Sequence, residues 1–389
     1  MALLLFCAVL FGVLFTAHAA DVTKPQGGLL AVAYRGETTA HTPNTPEAIL
    51  AAAEAGADLV SVAVTKTADG QFVLLTDAQK ALVNETQTLL QMQIALFGAS
   101  SSQLVPTLDA VAASLDGSAG LIVDFDVSAL DALCGYLREH ALTNAVFPRV
   151  ALPAKTIVSF VEENPDIRLL GVYRGNVVMN ADAFLKRLSA AGLPMVQYQN
   201  KNYFCVSFQK FTADRFSTNG NCRAMVNMTS KELCGQRDDS VTGWDDMISR
   251  GFSVIETGNI RSLCAYIAQQ KETKPALLSA METAKQTDLS ALSAQSAKAL
   301  SSAIAAGEGA KGENASLSAR QSALSALQNA LASRVLRGEN ETRKGALQIT
   351  TGKVLTVLFF AVLVLAVQIY MHKKQGNKGE DHYAEKEYH

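Results

Sequence analysis

The feature that most restricts this chain is the regular exchange of short apolar runs with helix-like stretches across its first two thirds. Residues 29–33 read as a strand. Residues 46–55 read as a helix, with Thr45 as N-cap, Pro46 at the first helical position and Gly56 just past the end. Residues 58–64 form a second strand and 72–75 a further extended piece, divided by the turn Ala68-Asp69-Gly70. A helix over 108–115 leads into the buried strand 120–127, GLIVDFDV. Helices over 130–137, 156–163, 182–191, 244–250 and 260–269 then alternate with strands near 145–151, 168–172, 195–199, 223–228 and 253–257. Strand and helix alternating about eight times over roughly 240 residues predicts an α/β chain folded as a (β/α)8 TIM barrel. Its bounds are 21–270, and a doubly wound open sheet is the alternative built from the same units.

Composition changes after Gln270. Residues 271–350 are rich in Ala and Ser, with Leu277, Met281, Leu289, Leu292, Leu300, Ile304, Leu317, Leu324, Leu327 and Leu331 at loose helical spacing. A break at 307–312 predicts two helices. A membrane-proximal stalk, a coiled coil and a hairpin leaning on the barrel are the open readings. So many small residues give no strong heptad seam, and the segment is taken as an α-helical stalk or spacer.

Two apolar runs set the expected topology. Residues 1–20 end in Ala17-His18-Ala19 and fit a cleaved signal peptide, although no Lys or Arg precedes the apolar run. A retained N-terminal anchor is the other reading. Residues 354–371 carry no charge and are long enough for one transmembrane helix, taken with its flank as 351–371. Lys373, Lys374 and Lys378 follow it while Lys353 stands alone before it, so the tail 372–389 is expected in the cytoplasm. The ectodomain is then outside or lumenal, on the plasma membrane or a secretory-pathway membrane. A GPI signal is the rival, opposed by the charged tail.

Outside location agrees with the N-x-[ST] sequons at Asn84, Asn227, Asn314 and Asn340, which are glycosylation candidates. It also predicts that Cys205, Cys222, Cys234 and Cys264 form two disulfides, in any of three pairings, with Cys134 a buried free thiol. A net charge of −2 and the lack of a basic stripe exclude nucleic acid as the expected partner.

The densest motifs fall at strand ends, where barrels build their sites. They are Ala33-Tyr34-Arg35-Gly36, Asn44-Thr45-Pro46-Glu47-Ala48, Ala55-Gly56-Ala57-Asp58, Asp69-Gly70, Thr76-Asp77 and Val105-Pro106-Thr107-Leu108-Asp109. A closing segment runs from Asp245-Asp246-Met247 to Gly251-Phe252-Ser253-Val254-Ile255. In order and spacing this resembles the glycerophosphodiester phosphodiesterase family, of the phospholipase-C-like TIM-barrel superfamily, over residues 29–268. The family carries AHRG, ENT-x-x-A, AGAD-x-(I/V)-E-x-D, a histidine-aspartate pair and an E-x-K strand. The resemblance implies hydrolysis of a phosphodiester by a divalent cation on three carboxylates, with two histidines as acid and base.

The chemical positions depart from that pattern. Tyr34 stands at the first histidine, Ser61 and Ala63 at the E-x-D carboxylates, and Thr76 at the second histidine. Asp124 stands at the third carboxylate and Asp126 at the lysine. No cofactor is expected, since Asp124 alone is a weak metal candidate; Mg or Ca belongs to the alternative of an active diesterase. Arg35, Asn44, Asp77 and Asp124 are the candidate ligand contacts, for an anionic headgroup or a protein ligand at the barrel mouth. Their structural reading has Arg35 on strand-end carbonyls or Asp77, Asn44 fixing its loop, and the paired acids Asp124 and Asp126 facing an arginine such as Arg149. His41 is the one surrogate base near the site; His140 is the other ectodomain histidine. Lys201-Asn202-Tyr203-Phe204 is a candidate mouth loop. The expected protein is a single-pass surface or secretory-pathway pseudoenzyme used for binding, adhesion or assembly. Its rival is an active metal-dependent phosphodiesterase on glycerophosphodiesters or lysophospholipids.

Overall fold

A computed structural model describes residues 28–174, 184, 187–201, 222–312 and 315–337. β1 (Leu30–Tyr34) and β2 (Leu59–Lys66) pair in parallel, and β3 (Phe72–Leu74) folds back antiparallel on the end of β2. β4 (Gly120–Asp124), β5 (Val146–Val150), β6 (Leu170–Tyr173), β7 (Met195–Tyr198), β8 (Arg223–Asn227) and β9 (Val254–Thr257) continue the parallel order. β9 pairs with β1, Leu30 opposite Val254, so the eight parallel strands close into a barrel. The open-sheet alternative is thereby excluded.

These strands are apolar on both faces because both are covered, as a parallel barrel requires. Leu30, Val32, Leu59, Ile122, Phe147, Leu170, Met195, Met225 and Val254 fill the interior. The alternate residues, such as Ala31, Ala33, Val60, Val62, Leu121 and Val123, pack outward in the larger core. Helices α1 (Pro46–Glu54), α2 (Asp77–Lys80), α3 (Leu89–Phe97), α4 (Leu108–Ser114), α5 (Leu130–Glu139), α6 (Ala154–Glu163) and α7 (Val241–Ser249) lie in the connections. Thr45 caps α1 as expected, its side chain accepting from the Ala48 N–H. Of the helix expected over 182–191, positions 184 and 187–190 are described and helical. The sequence reading had no helix between 76 and 107; α2 and α3 each start with a Thr-x-x-Gln capping box, Thr76 with Gln79 and Thr88 with Gln91.

The segment read as a spacer is packed. α8 begins at Ile260 but runs through Pro275 to Lys285, far past the expected end at 269. α9 (Ala294–Ala310) and α10 (Leu317–Ala332) fold back beside it, capped by Ser293 and Ser316. Leu277, Met281, Leu300, Ala303, Ala323 and Leu327 form their common core. Small residues allow the close approach: a Cβ on Gly307 would lie 2.8 Å from Met281 Cγ. Leu317 reaches the barrel core, and its N–H donates to Tyr266 Oη at 2.9 Å. The barrel and these helices therefore form one compact unit ending at Arg334; of the unit that starts at Val335, residues 335–337 are described.

Among the described residues no helix is long and apolar enough to cross a membrane, and the runs 1–20 and 354–371 lie outside them. The two disulfides are not formed: Cys222, Cys234 and Cys264 are free thiols, like the buried Cys134, and Cys205 lies outside the described residues. Cys222 is buried before β8, while Cys234 is turned onto the carbonyls of Ser230 and Arg237. Burial raises the thiols of Cys134, Cys234 and Cys264 to about 11, which keeps them protonated and unreactive. Of the sequons, Asn84 is exposed, but Asn227 is buried with its amide donating to Glu256, so it is no glycan acceptor in the folded chain. Asn314 and Asn340 lie outside the described residues.

The packing of the Ala/Ser-rich helices is testable at Leu327, which is fully buried among them. Leu327→Ala should cost about 2–5 kcal/mol in chemical denaturation. The exposed Leu289→Ala should be close to neutral. Equal, negligible effects would mean that these helices are a solvated spacer after all.

Candidate functional site at the barrel mouth

Past Tyr34 the chain must turn sharply from β1 toward α1. Arg35 and Gly36 both take positive φ, 60° and 97°. Only glycine suits the second position, where a Cβ would stand 2.5 Å from the Ala48 carbonyl carbon. The turn is tied down by Arg35 N–H donating to Ser61 O (2.9 Å) and Asn44 N–H donating to Arg35 O (2.8 Å). Asn44 itself donates to Ala63 O (2.8 Å) and Leu75 O (2.9 Å) and accepts from Ala63 N–H (2.8 Å). Its amide is thus spent on β2 and the chain after β3, so Asn44 clamps its loop, as its structural reading has it.

Inside the mouth, polar side chains from six strands converge. Arg149, on β5, makes a bidentate pair with Glu256 on β9, Nη2 to Oε1 at 2.7 Å and Nη1 to Oε2 at 2.9 Å. The same Nη1 donates to Gln197 Oε1 on β7 at 2.9 Å, and Asn227 on β8 donates to Glu256 Oε2 at 2.6 Å. On the other side Arg149 Nε lies 3.0 Å from Asp124 Oδ1, at the end of β4. Asp124 Oδ2 accepts from Arg35 Nη2 at 3.0 Å, and the Arg35 guanidinium sits 5.1 Å from the Tyr34 ring centroid. Two guanidinium groups and two carboxylates alternate, so the cluster is neutral.

Burial governs these charges. The Glu256 side chain is 0 % exposed and that of Arg149 is 7 % exposed. Burial opposes the charge on Arg149, but the facing carboxylates of Glu256 and Asp124 outweigh it and raise its pKa. For Asp124, burial pushes the carboxyl pKa up against the downward pull of Arg149 and Arg35. An ion pair shielded this way is held by removing either partner's alternative, since an unpaired charge here has no water to turn to.

A divalent cation of the kind the sequence resemblance implies does not fit this donor set. Such an ion needs several oxygen ligands. Ser61 is buried, with its hydroxyl oxygen 3.5 Å from Ala33 O, and Ala63, paired in register with Asp124, offers no donor. Both Asp124 oxygens face guanidinium groups. Among the described residues no group of three His, Cys, Asp or Glu side chains stands close enough to share an ion.

The remaining predicted residues scatter. Thr76 is the N-cap of α2, and the Asp77 side chain, fully exposed, lies 3.7 Å from Lys80 rather than on Arg35. Asp77 is therefore not the partner of Arg35. Asp126 does not share a strand face with Asp124, because β4 stops at Asp124 and Asp126 caps a 3-10 turn by accepting from Ser128 N–H (2.8 Å). His41 is half-buried in the loop between β1 and α1. His140 stacks on Tyr136 at 4.2 Å and lies 3.7 Å from Asp109. Lys201 is exposed, and residues 202–204 lie outside the described residues. The sequence reading reached Arg149 as a partner for Asp124 but passed over Gln197, Asn227 and Glu256. Their signal was present: each is a polar residue near the C-terminal end of a largely apolar strand, two positions from an interior-filling residue.

No family model matches the chain, and no curated protein matches it. Among solved structures, a glycerophosphodiester phosphodiesterase from Thermotoga maritima is 14% identical, with TM-score 0.46, covering 61% of this chain and 97% of that one. Its counterpart from Parabacteroides distasonis is 14% identical, with TM-score 0.49, over 64% of this chain and 92% of that one. One from Agrobacterium tumefaciens is 14% identical, with TM-score 0.46, over 61% and 99%. The chain is similar to glycerophosphodiester phosphodiesterases. At this distance the similarity assigns no activity, and the barrel rests on its own strand register.

The charge cluster makes a sharp prediction. Arg149→Met keeps the bulk but strands Glu256, and should destabilise the fold by about 3–5 kcal/mol at neutral pH. A stranded buried carboxyl has a raised folded-state pKa, so the deficit should shrink as pH falls and the acid protonates. Arg149→Met with Glu256→Gln should recover part of the loss. Urea unfolding followed by the single tryptophan, Trp244, measures all three.

Proposed function

We propose that this chain is a glycerophosphodiester-phosphodiesterase-like barrel that no longer hydrolyses phosphodiesters and serves as a binding, adhesion or assembly protein. The observation that carries the reading is Asp124. It is the one carboxylate left at the motif's metal-holding positions, and Arg35 and Arg149 both neutralise it. A dication arriving there would have to displace a guanidinium and would find Ser61 and Ala63 where two more carboxylates are needed. Tyr34 and Thr76 replace the acid-base histidines, and neither a phenol nor an aliphatic hydroxyl takes up a proton as an imidazole does.

The same proposal includes the topology. A signal peptide over 1–20 and a single span within 351–371 make a type I membrane protein, its barrel outside or lumenal and its tail cytoplasmic. The exposed Asn84 supports glycosylation there. The ligand is an anionic headgroup or a protein surface met at the barrel mouth, where Arg35 keeps one buried guanidinium nitrogen, Nη1, without a hydrogen-bond partner.

The deciding experiment is hydrolysis of a panel of glycerophosphodiesters and lysophospholipids with Mg2+, Ca2+, Mn2+ or Zn2+. The parent chain should show no metal-dependent turnover. A Tyr34→His, Ser61→Glu, Ala63→Asp, Thr76→His variant tests whether the scaffold alone still accepts the chemistry. Turnover by the parent that a chelator abolishes would sink the pseudoenzyme reading.

A further inference from the structure

The rim of the barrel between β3 and α4 is a surface that the mouth cluster does not use. From Thr86 to Leu108 the sequence contains no Asp, Glu, Lys or Arg. The polar residues there are Gln, Ser and Thr. Helix α3 lies in this stretch, and its one fully buried residue, Met92, packs in a small core with Val73, Leu75, Val83 and Val105.

The rest of the apolar content is turned out. Leu90 and Ile94, one helical turn apart on α3, are 67% and 45% exposed. Leu104 is 75% exposed, on a segment that Gln93 of α3 holds through Gln103 O (2.7 Å) and Val105 N–H (3.2 Å). Leu82 adds a further 67% exposed side chain from the turn after α2. Four of the ten large apolar side chains exposed among the described residues therefore fall within 82–104, too many for chance scatter.

A patch that is apolar at its centre and uncharged from Thr86 to Leu108 suits the interfacial zone of a bilayer. The exposed Glu85 and Asp69 stand at its border toward the headgroups, the Asp69 carboxylate accepting from the Leu89 N–H (3.0 Å). Leucine and isoleucine enter it favourably, and Gln, Ser and Thr meet headgroups without the large desolvation cost of a charge. The chain also brings a bilayer within reach. Sixteen residues, 338 to 353, separate Arg337 from the apolar run 354–371, a tether of at most roughly 55 Å when extended. We propose that this rim docks on the lipid bilayer that anchors the chain, with Leu90, Ile94 and Leu104 in the interfacial zone. The proposal rests on the membrane-anchored reading above. Docking would hold the C-terminal rim of the barrel at the level of the headgroups.

The test uses the full chain, made without N-glycans and reconstituted in phosphatidylcholine vesicles with or without brominated acyl chains, which quench nearby tryptophan. Leu90→Trp reports on the rim. Leu278→Trp, at an exposed position on α8, is the control, and the native Trp244 is buried and common to both. Brominated lipid should cut the added emission of Leu90→Trp at least twofold and leave that of Leu278→Trp unchanged. Adding Ile94→Ser and Leu104→Ser to Leu90→Trp should remove the quenching. No quenching at position 90 overturns the docking, and a cross-linked second copy over α3 would then assign the patch to self-association. Alkaline extraction of the same vesicles separates the two readings. A chain that resists extraction without quenching keeps its anchor and loses the docking; quenching in a chain that alkali strips keeps the docking and loses the anchor.

Discussion

Arg149 reaches from β5 across the barrel to a carboxylate on β9 that water does not touch. A buried charge without a partner costs several kcal/mol, so every polar group around this pair is constrained to complete it. Gln197 and Asn227 supply the neutral hydrogen bonds, and Asp124 supplies the second negative charge. Asp124 in turn draws Arg35 over from the end of β1. The strand ends of β1, β4, β5, β7, β8 and β9 are thereby cross-linked by one neutral network, in the place where barrels of this kind usually leave groups free for a ligand. The two carboxylates are held by guanidinium and amide donors, and that pairing is what sets the mouth against a cation. Arg35 Nη1 and Gln197 Nε2 are left without a hydrogen-bond partner.

The barrel was legible because its strands are covered on both faces and therefore read as continuous apolar runs between helices. The mouth was only partly legible. Arg149 meets Gln197 and Glu256 at separations of 48 and 107 residues, which no local pattern encodes. Each of these residues is a polar letter in a largely apolar strand, and only the alternation of inward and outward positions marks them. Two local signals were available and were outweighed by the resemblance. Thr76-x-x-Gln79 is a capping box, and Asp126-x-Ser128 is a cap, and both engage their side chains with nearby backbone N–H groups. Spacing by two gives a shared face only while the strand lasts, and β4 ends at Asp124.

The helices after the barrel teach a different lesson. Ala, Ser and Gly at their contact positions give weak hydrophobic periodicity, which suggested a solvated spacer. Small residues also let helices approach closely, and Gly307 against Met281 shows that contact made. Arg320 adds a polar bolt: nearly fully buried, it donates to the carbonyls of Gln270 and Gly312 and ties the first turn of α10 to α8 and the end of α9. Such a bond between distant backbone groups leaves no trace in the spacing of leucines.

The clamp made by Asn44 has a consequence for reading chains of this type. One amide satisfies two carbonyls and one N–H that the turn from β1, the rim of β2 and the chain after β3 would otherwise leave unpaired in a buried place. Gly36 is required beside it by the nearness of α1. Asn44 and Gly36, two of the letters that make this chain look like a hydrolase, are thus letters the turn into α1 needs. They would be kept whether or not the mouth takes a substrate, as a keystone stays in an arch whatever passes beneath it. A motif of this sort is a record of folding constraints, and chemistry has to be sought in the positions the fold leaves free.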